Sequence, residues 1–233
     1  MVIIMETQQY LGKPASKVSL NSYTNLNPGR ASRIVGYSWI LMFILAIPTV
    51  LLVLEKLVVK GDTAASLENI KGNELLLFMG IAAYFIILTL DAAIGIGLYS
   101  VLKYSNQGIA KIMTILRLLF VVATAISLIA LSYLEIEFYS IGVLVGYVFL
   151  IPHLFLIGYL ALNSGYISKS LSIFMIITSF AYIITMFGQY LLSSGLYDVL
   201  YPIAMIPASF GEITMGIYLI VKSKHINQVI EGY

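Results

Sequence analysis

Residues 75–102 read LLLFMGIAAYFIILTLDAAIGIGLYSVL, and Asp91 is the only charged side chain in the run. The hydrocarbon core of a bilayer, about 30 Å thick, is crossed by about 20 helical residues rising 1.5 Å each. This run is long enough to cross with tilt or overhang. Lipid tolerates a helix as an open-ended element because every backbone polar group is satisfied within the segment. Working outward, the runs 34–54, 109–132, 140–162, 171–192 and 200–221 qualify in the same way. The sequence therefore predicts an all-α, polytopic transmembrane helix bundle of six spans. The membrane domain covers 30–222, between a polar tail at 1–29 and a second tail at 223–233.

Composition points the same way. Of 233 residues 60% are hydrophobic and 10% charged, with mean hydropathy +0.97. A soluble domain is roughly 45–50% apolar and about 25% charged. Too few charges remain to cover a water-facing surface, which excludes a soluble enzyme and a disordered chain. A net charge of +2 with no long basic run excludes a nucleic-acid partner. The absence of cysteine removes disulfides and thiolate chemistry. The early cluster Val2-Ile3-Ile4-Met5 is shorter than the roughly 7–15 apolar residues of a signal-peptide core. The 1–29 segment thus reads as a retained tail, with Met5 a second candidate start.

Orientation follows from the excess of Lys and Arg in cytoplasmic loops. With the amino end inside, Lys13, Lys17, Arg30, Arg33, Lys103, Lys111, Lys169, Lys222 and Lys224 fall on the cytoplasmic side, nine of the thirteen basic residues. Lys56, Lys60 and Lys71 fall outside. Both termini are expected in the cytoplasm and the protein in the cell membrane. Tyr99, Tyr104, Tyr133, Tyr139, Tyr166, Tyr197 and Tyr201 fit aromatic belts at the two interfaces. The outer loop 55–74 offers Asp62 or Thr63 as the cap of a short surface helix.

Four charged or titratable groups remain deep in the spans: Asp91, Arg117, His153 and Glu212. At 1.5 Å per residue they lie about 18, 13–14, 16–17 and 15 Å from the inner face, one layer shared by four helices. Each is costly in hydrocarbon unless paired or hydrated. Their faces are shared mostly by small residues: Gly80, Tyr84 and Gly95 with Asp91; Ala110, Thr114 and Thr124 with Arg117; Gly142, Gly146 and Phe149 with His153; Ala208, Ser209 and Gly216 with Glu212. Small residues let helix backbones approach, so these faces are expected to point into the bundle. The expected pairs are Arg117 with Asp91 and His153 with Glu212. Two carboxylates against one guanidinium leave one acid that needs an imidazolium, a bound cation or a proton.

No HExxH, P-loop or G-x-S-x-G motif is present, and one intramembrane histidine cannot build a zinc or bis-histidine haem site. No cofactor is expected. Three functions stay open. One is a small transporter or permease using the four-residue layer as ligand site or proton relay. Another is a structural or assembly subunit of a larger membrane complex, as a homo-oligomer or with other proteins. The third is a membrane-embedded enzyme acting on lipid.

One further pattern runs through the chain: Gly61-Asp62-Thr63-Ala64, Leu90-Asp91, Leu98-Tyr99, Leu102-Lys103, Arg117, Gly146 to Phe149, His153, Gly158-Tyr159-Leu160, Asn163-Ser164-Gly165-Tyr166, Gly211-Glu212 and Leu219-Ile220-Val221-Lys222. In this ordered set the chain resembles the prokaryotic multi-pass membrane proteins grouped as domain of unknown function 4386, over roughly residues 30–224. It departs at Ser168 and Ser172, where that family tends to carry Pro and Gly, and at Met79, where a basic residue is expected. The resemblance implies a six- or seven-span bundle and no particular activity.

Overall fold

The computed structural model describes residues 26–59 and 61–232. Most of the 1–29 tail, including Lys13 and Lys17, lies outside the described residues, as does Lys60. Eight helices follow in order: α1 Pro28–Leu57, α2 Thr63–Ile70, α3 Glu74–Leu102, α4 Gln107–Ser132, α5 Ile136–Leu162, α6 Lys169–Leu191, α7 Ser194–Val221 and α8 Ser223–Glu231. Six of them, α1 and α3 to α7, are long and apolar enough to cross a membrane.

Local chemistry sets the boundaries. Asn27 caps α1 by accepting from the Arg30 amide at 3.1 Å, and Pro28 occupies the first turn, where its missing N–H costs nothing. Pro48 cannot bond back to the carbonyl four residues earlier, and from Ile47 to Leu54 the helix widens into a π-helical stretch. Asp62 caps α2 by accepting from Ala65 N at 2.9 Å, so the short surface helix expected in the outer loop is formed. The 223–233 segment is more than a tail: Ile226 and Ile230 of α8 are buried, and the helix packs against the start of α1.

Short loops make successive spans antiparallel neighbours. Thus α3–α4, α4–α5, α5–α6 and α6–α7 pack in chain order, while α1 packs on both α3 and α7. The six long helices close into a ring in which α4 stands opposite α7. The start of α1 and helix α8 meet on one face of it. On that face Tyr166 is buried and donates to the Val101 carbonyl at 2.6 Å, and burial holds its hydroxyl well above the usual tyrosine range. Tyr99 and Tyr166, expected at the interface belts, therefore face the protein interior instead.

The ring is dressed for lipid. On α4 the residues Ile112, Ile115, Leu119, Val122, Ile126 and Ile129 form an exposed stripe at alternating steps of three and four. The opposite stripe, Ala110, Met113, Arg117, Phe120, Thr124 and Ser127, is buried. An apolar stripe outside and polar groups inside are stable when the surrounding solvent is hydrocarbon. The small residues named from sequence do face inward. A Cβ on Gly146 would lie 2.9 Å from Thr124 Oγ1 and 3.3 Å from Phe120, and one on Gly216 would lie 3.1 Å from the Trp39 Cβ.

Candidate functional site inside the ring

Asp91 on α3, Arg117 on α4, His153 on α5 and Glu212 on α7 are all buried, at 3%, 1%, 0% and 8% exposure. Arg117 Nη2 pairs with Asp91 Oδ1, the pairing expected from sequence. The same Nη2 lies 3.3 Å from Glu212 Oε2, and Nη1 reaches that oxygen at 3.4 Å. One guanidinium therefore serves two carboxylates. It crosses the ring to do so, because α4 and α7 are opposite one another. Gly95 makes room for it: a Cβ there would stand 3.1 Å from Arg117 Cγ. The guanidinium carbon also sits 5.9 Å from the centre of the Phe120 ring, in cation–π range.

The expected His153–Glu212 pair is not formed. His153 Nδ1 lies 2.7 Å from the Met113 carbonyl. A carbonyl only accepts, so Nδ1 carries the proton and donates, and in the neutral ring Nε2 is left as an acceptor. The reason lies in the order of the ring: α6 stands between α5 and α7, while α5 packs directly on α4. Glu212 is met instead by Trp39 of α1, whose Nε1 donates to Oε2 at 2.5 Å.

Trp39 is the residue that sequence reasoning missed. It is the only tryptophan in the chain, is 1% exposed, and sits in mid-span rather than at an interface. An aromatic with a polar tip needs a hydrogen-bond partner when buried, but the span read as 34–54 put Trp39 near the inner edge, and only the start of α1 at Pro28 places it deeper. Tyr84, already legible on the face of Asp91, and Tyr147 and Tyr182 are half-buried within their spans. Tyr147 stacks on Tyr182 at 5.7 Å and tilts against Phe120 at 5.9 Å. Among the described residues three buried polar atoms beside the cluster have no hydrogen-bond partner: Arg117 Nε, Thr124 Oγ1 and His153 Nε2.

The chemistry of the arrangement follows from its charge. With both carboxylates ionised, Arg117 charged and His153 neutral, the set would sum to one uncompensated negative charge in a buried interior. Such a site gains by taking up one proton or one small cation. Tyrosine hydroxyls nearby supply neutral donors and acceptors. Among the described residues no three His, Asp or Glu side chains gather to hold a metal ion.

The Trp39 contact has a measurable consequence. Trp39→Phe removes the donor while keeping an aromatic ring, and a hydrogen bond to a charged group contributes about 1.5–3 kcal/mol. A double-mutant cycle with Glu212→Gln, read by thermal unfolding in detergent, separates that bond from the lost indole packing. Additive losses in the cycle would show that Trp39 does not support Glu212.

A curated protein from Archaeoglobus fulgidus, described as an uncharacterized protein, is 31% identical over 153 residues, covering 64% of this chain and 87% of the relative. No solved structure matches. The family profile described as Domain of unknown function (DUF4386) matches residues 34–136 and 130–223, so nearly the whole helical ring is covered and the chain belongs to that family.

Proposed function

We propose that the protein is a multi-pass protein of the cell membrane that exchanges a proton for a small monovalent cation at the Asp91–Arg117–Glu212 cluster. The observation that carries this reading is the single nitrogen, Arg117 Nη2, shared between two carboxylates. One guanidinium neutralises one acid. The second acid is left to choose between a proton and a cation, and occupation by one excludes the other because both satisfy the same charge. Competition of two ions for one site is the minimum device for exchange. Glu212 is the group that changes occupant: its contacts to the guanidinium are the longer ones, and Trp39 orients it with a neutral donor.

The test uses purified protein in liposomes loaded with a pH-sensitive dye, with the membrane potential clamped. Addition of Na⁺ or K⁺ outside is expected to drive proton efflux above that of protein-free vesicles. Glu212→Gln, which keeps the hydrogen-bonding shape but removes the charge, is expected to reduce the flux to that background. The reading fails if the wild-type protein moves no protons with either cation, or if Glu212→Gln exchanges as well as wild type.

A further inference from the structure

The start of α1 and the helix α8 enclose a cleft of about 240 Å³ lined by Asn27, Gly29, Arg33, Ser223, Lys224, Asn227 and Gln228. Its shape is set by close packing. The Gly29 amide donates to Asn227 Oδ1 at 3.1 Å, and a Cβ on Gly29 would lie 2.9 Å from both Asn227 Cβ and the Ser223 carbonyl. Helix α8 is held down by Ile226 and Ile230, so the walls do not depend on the polar groups that line them. The volume is below the roughly 300–1,000 Å³ of sites for drug-sized ligands, but it suits a small charged group.

The lining is cationic. Arg33 and Lys224 are both exposed and both border the cleft, with Arg33 Nε placed over the Gly29 carbonyl at 3.4 Å. Arg30 and Lys222, adjoining the same helix ends, add positive charge nearby. The one acid of α8, Glu231, is engaged at the rim by the side-chain amides of Asn27 and Asn227, both at 2.5 Å. Gln228 leaves an amide donor on the wall. The cleft also stands at the level where α1 begins and α7 ends, which for a spanning helix is the headgroup layer. Basic recesses at that level attract anionic headgroups.

We propose that this cleft binds a phosphate group, with Arg33 and Lys224 as the charged ligands and Gln228 as a neutral donor. Two sources present that chemistry, an anionic lipid headgroup and free inorganic phosphate, and the experiment separates them. The full chain, purified in mild detergent, is examined by native mass spectrometry after addition of phosphatidylglycerol or of zwitterionic phosphatidylcholine. Phosphatidylglycerol is expected to stay bound preferentially. Arg33→Ala with Lys224→Ala is expected to weaken its retention roughly twenty-five-fold, about five-fold for each charge at the membrane surface. Both side chains are exposed, so the double variant is expected to keep the wild-type melting temperature. Lys224→Glu provides a second variant and is expected to lose the preference for the anionic lipid. Displacement of the lipid by millimolar inorganic phosphate would identify the free anion as a ligand, and failure of phosphate to compete would identify the headgroup. Equal retention of the two lipids without stabilisation by phosphate would overturn the proposal. So would wild-type retention of phosphatidylglycerol by both variants.

Discussion

Replacing Arg117 with Met is expected to cost the protein about 3–5 kcal/mol, the usual penalty for removing one partner of a buried ion set. The substitution keeps an unbranched aliphatic stem but ends short of the guanidinium, so the packing of the stem is retained while the contacts to both carboxylates are lost. It strands two carboxylates in the ring interior, with Trp39 the remaining donor to Glu212. Against a total stability of about 5–15 kcal/mol, that loss is a large fraction. The compensating variants carry the decisive information. Adding Asp91→Asn to Arg117→Met is expected to recover only part of the loss, because Glu212 is still buried without its cationic partner. Adding Glu212→Gln as well is expected to recover most of it, since neutral sets that replace buried ions are often as stable as the ions. Thermal unfolding in detergent reads all four proteins, and the lone Trp39 is an internal reporter beside the cluster. Full recovery in the Arg117→Met/Asp91→Asn protein would reduce the cluster to a pair and remove Glu212 from it.

The contrast between Arg117 and His153 shows how far the sequence could be read. Distance along a helix axis is legible, because each residue rises 1.5 Å, and this placed the four groups in one layer. Inward faces are legible too, through small residues at helical spacing, and Gly95, Gly146 and Gly216 do sit against opposing helices. The order of helices around a ring is not written in either signal. Short loops fix which helices are neighbours in sequence, but the closure of α1 onto α7 is a tertiary fact. That closure brings Trp39 to Glu212, and the intervening α6 keeps His153 away. Helix α8 was hidden for a different reason. Nine polar-rich residues have no membrane-length run, and the spacing of Ile226 and Ile230 becomes meaningful only once α1 is there to receive them.

The seam that closes the ring should be the second point of greatest sensitivity. Gly36→Ala is expected to destabilise the protein by about 1–3 kcal/mol through overpacking alone, although it adds one methyl group. A Cβ at residue 36 would stand 2.5 Å from the Gly216 carbonyl oxygen of α7 and 2.5 Å from Ile220 Cγ1. A flexible side chain can step aside, but a backbone carbonyl inside a helix moves only with the helix. Ile220→Ala in the same protein should therefore restore little. Moving α1 away from α7 also lengthens the Trp39–Glu212 hydrogen bond, since Trp39 lies one turn beyond Gly36 and Glu212 one turn before Gly216. The charge-assisted bond adds its own loss to the steric one. Two readouts should then change together: a lower melting temperature and an altered emission of Trp39 as its indole loses the carboxylate. Gly195→Ala is the control, because nothing lies within 4 Å of a Cβ there, and it is expected to leave both readouts at wild-type values. If Gly36→Ala melts with wild type and its tryptophan emission is unchanged, the α1–α7 seam has slack. The position of Trp39 on Glu212 would then have to be set by something other than the close approach of two glycines.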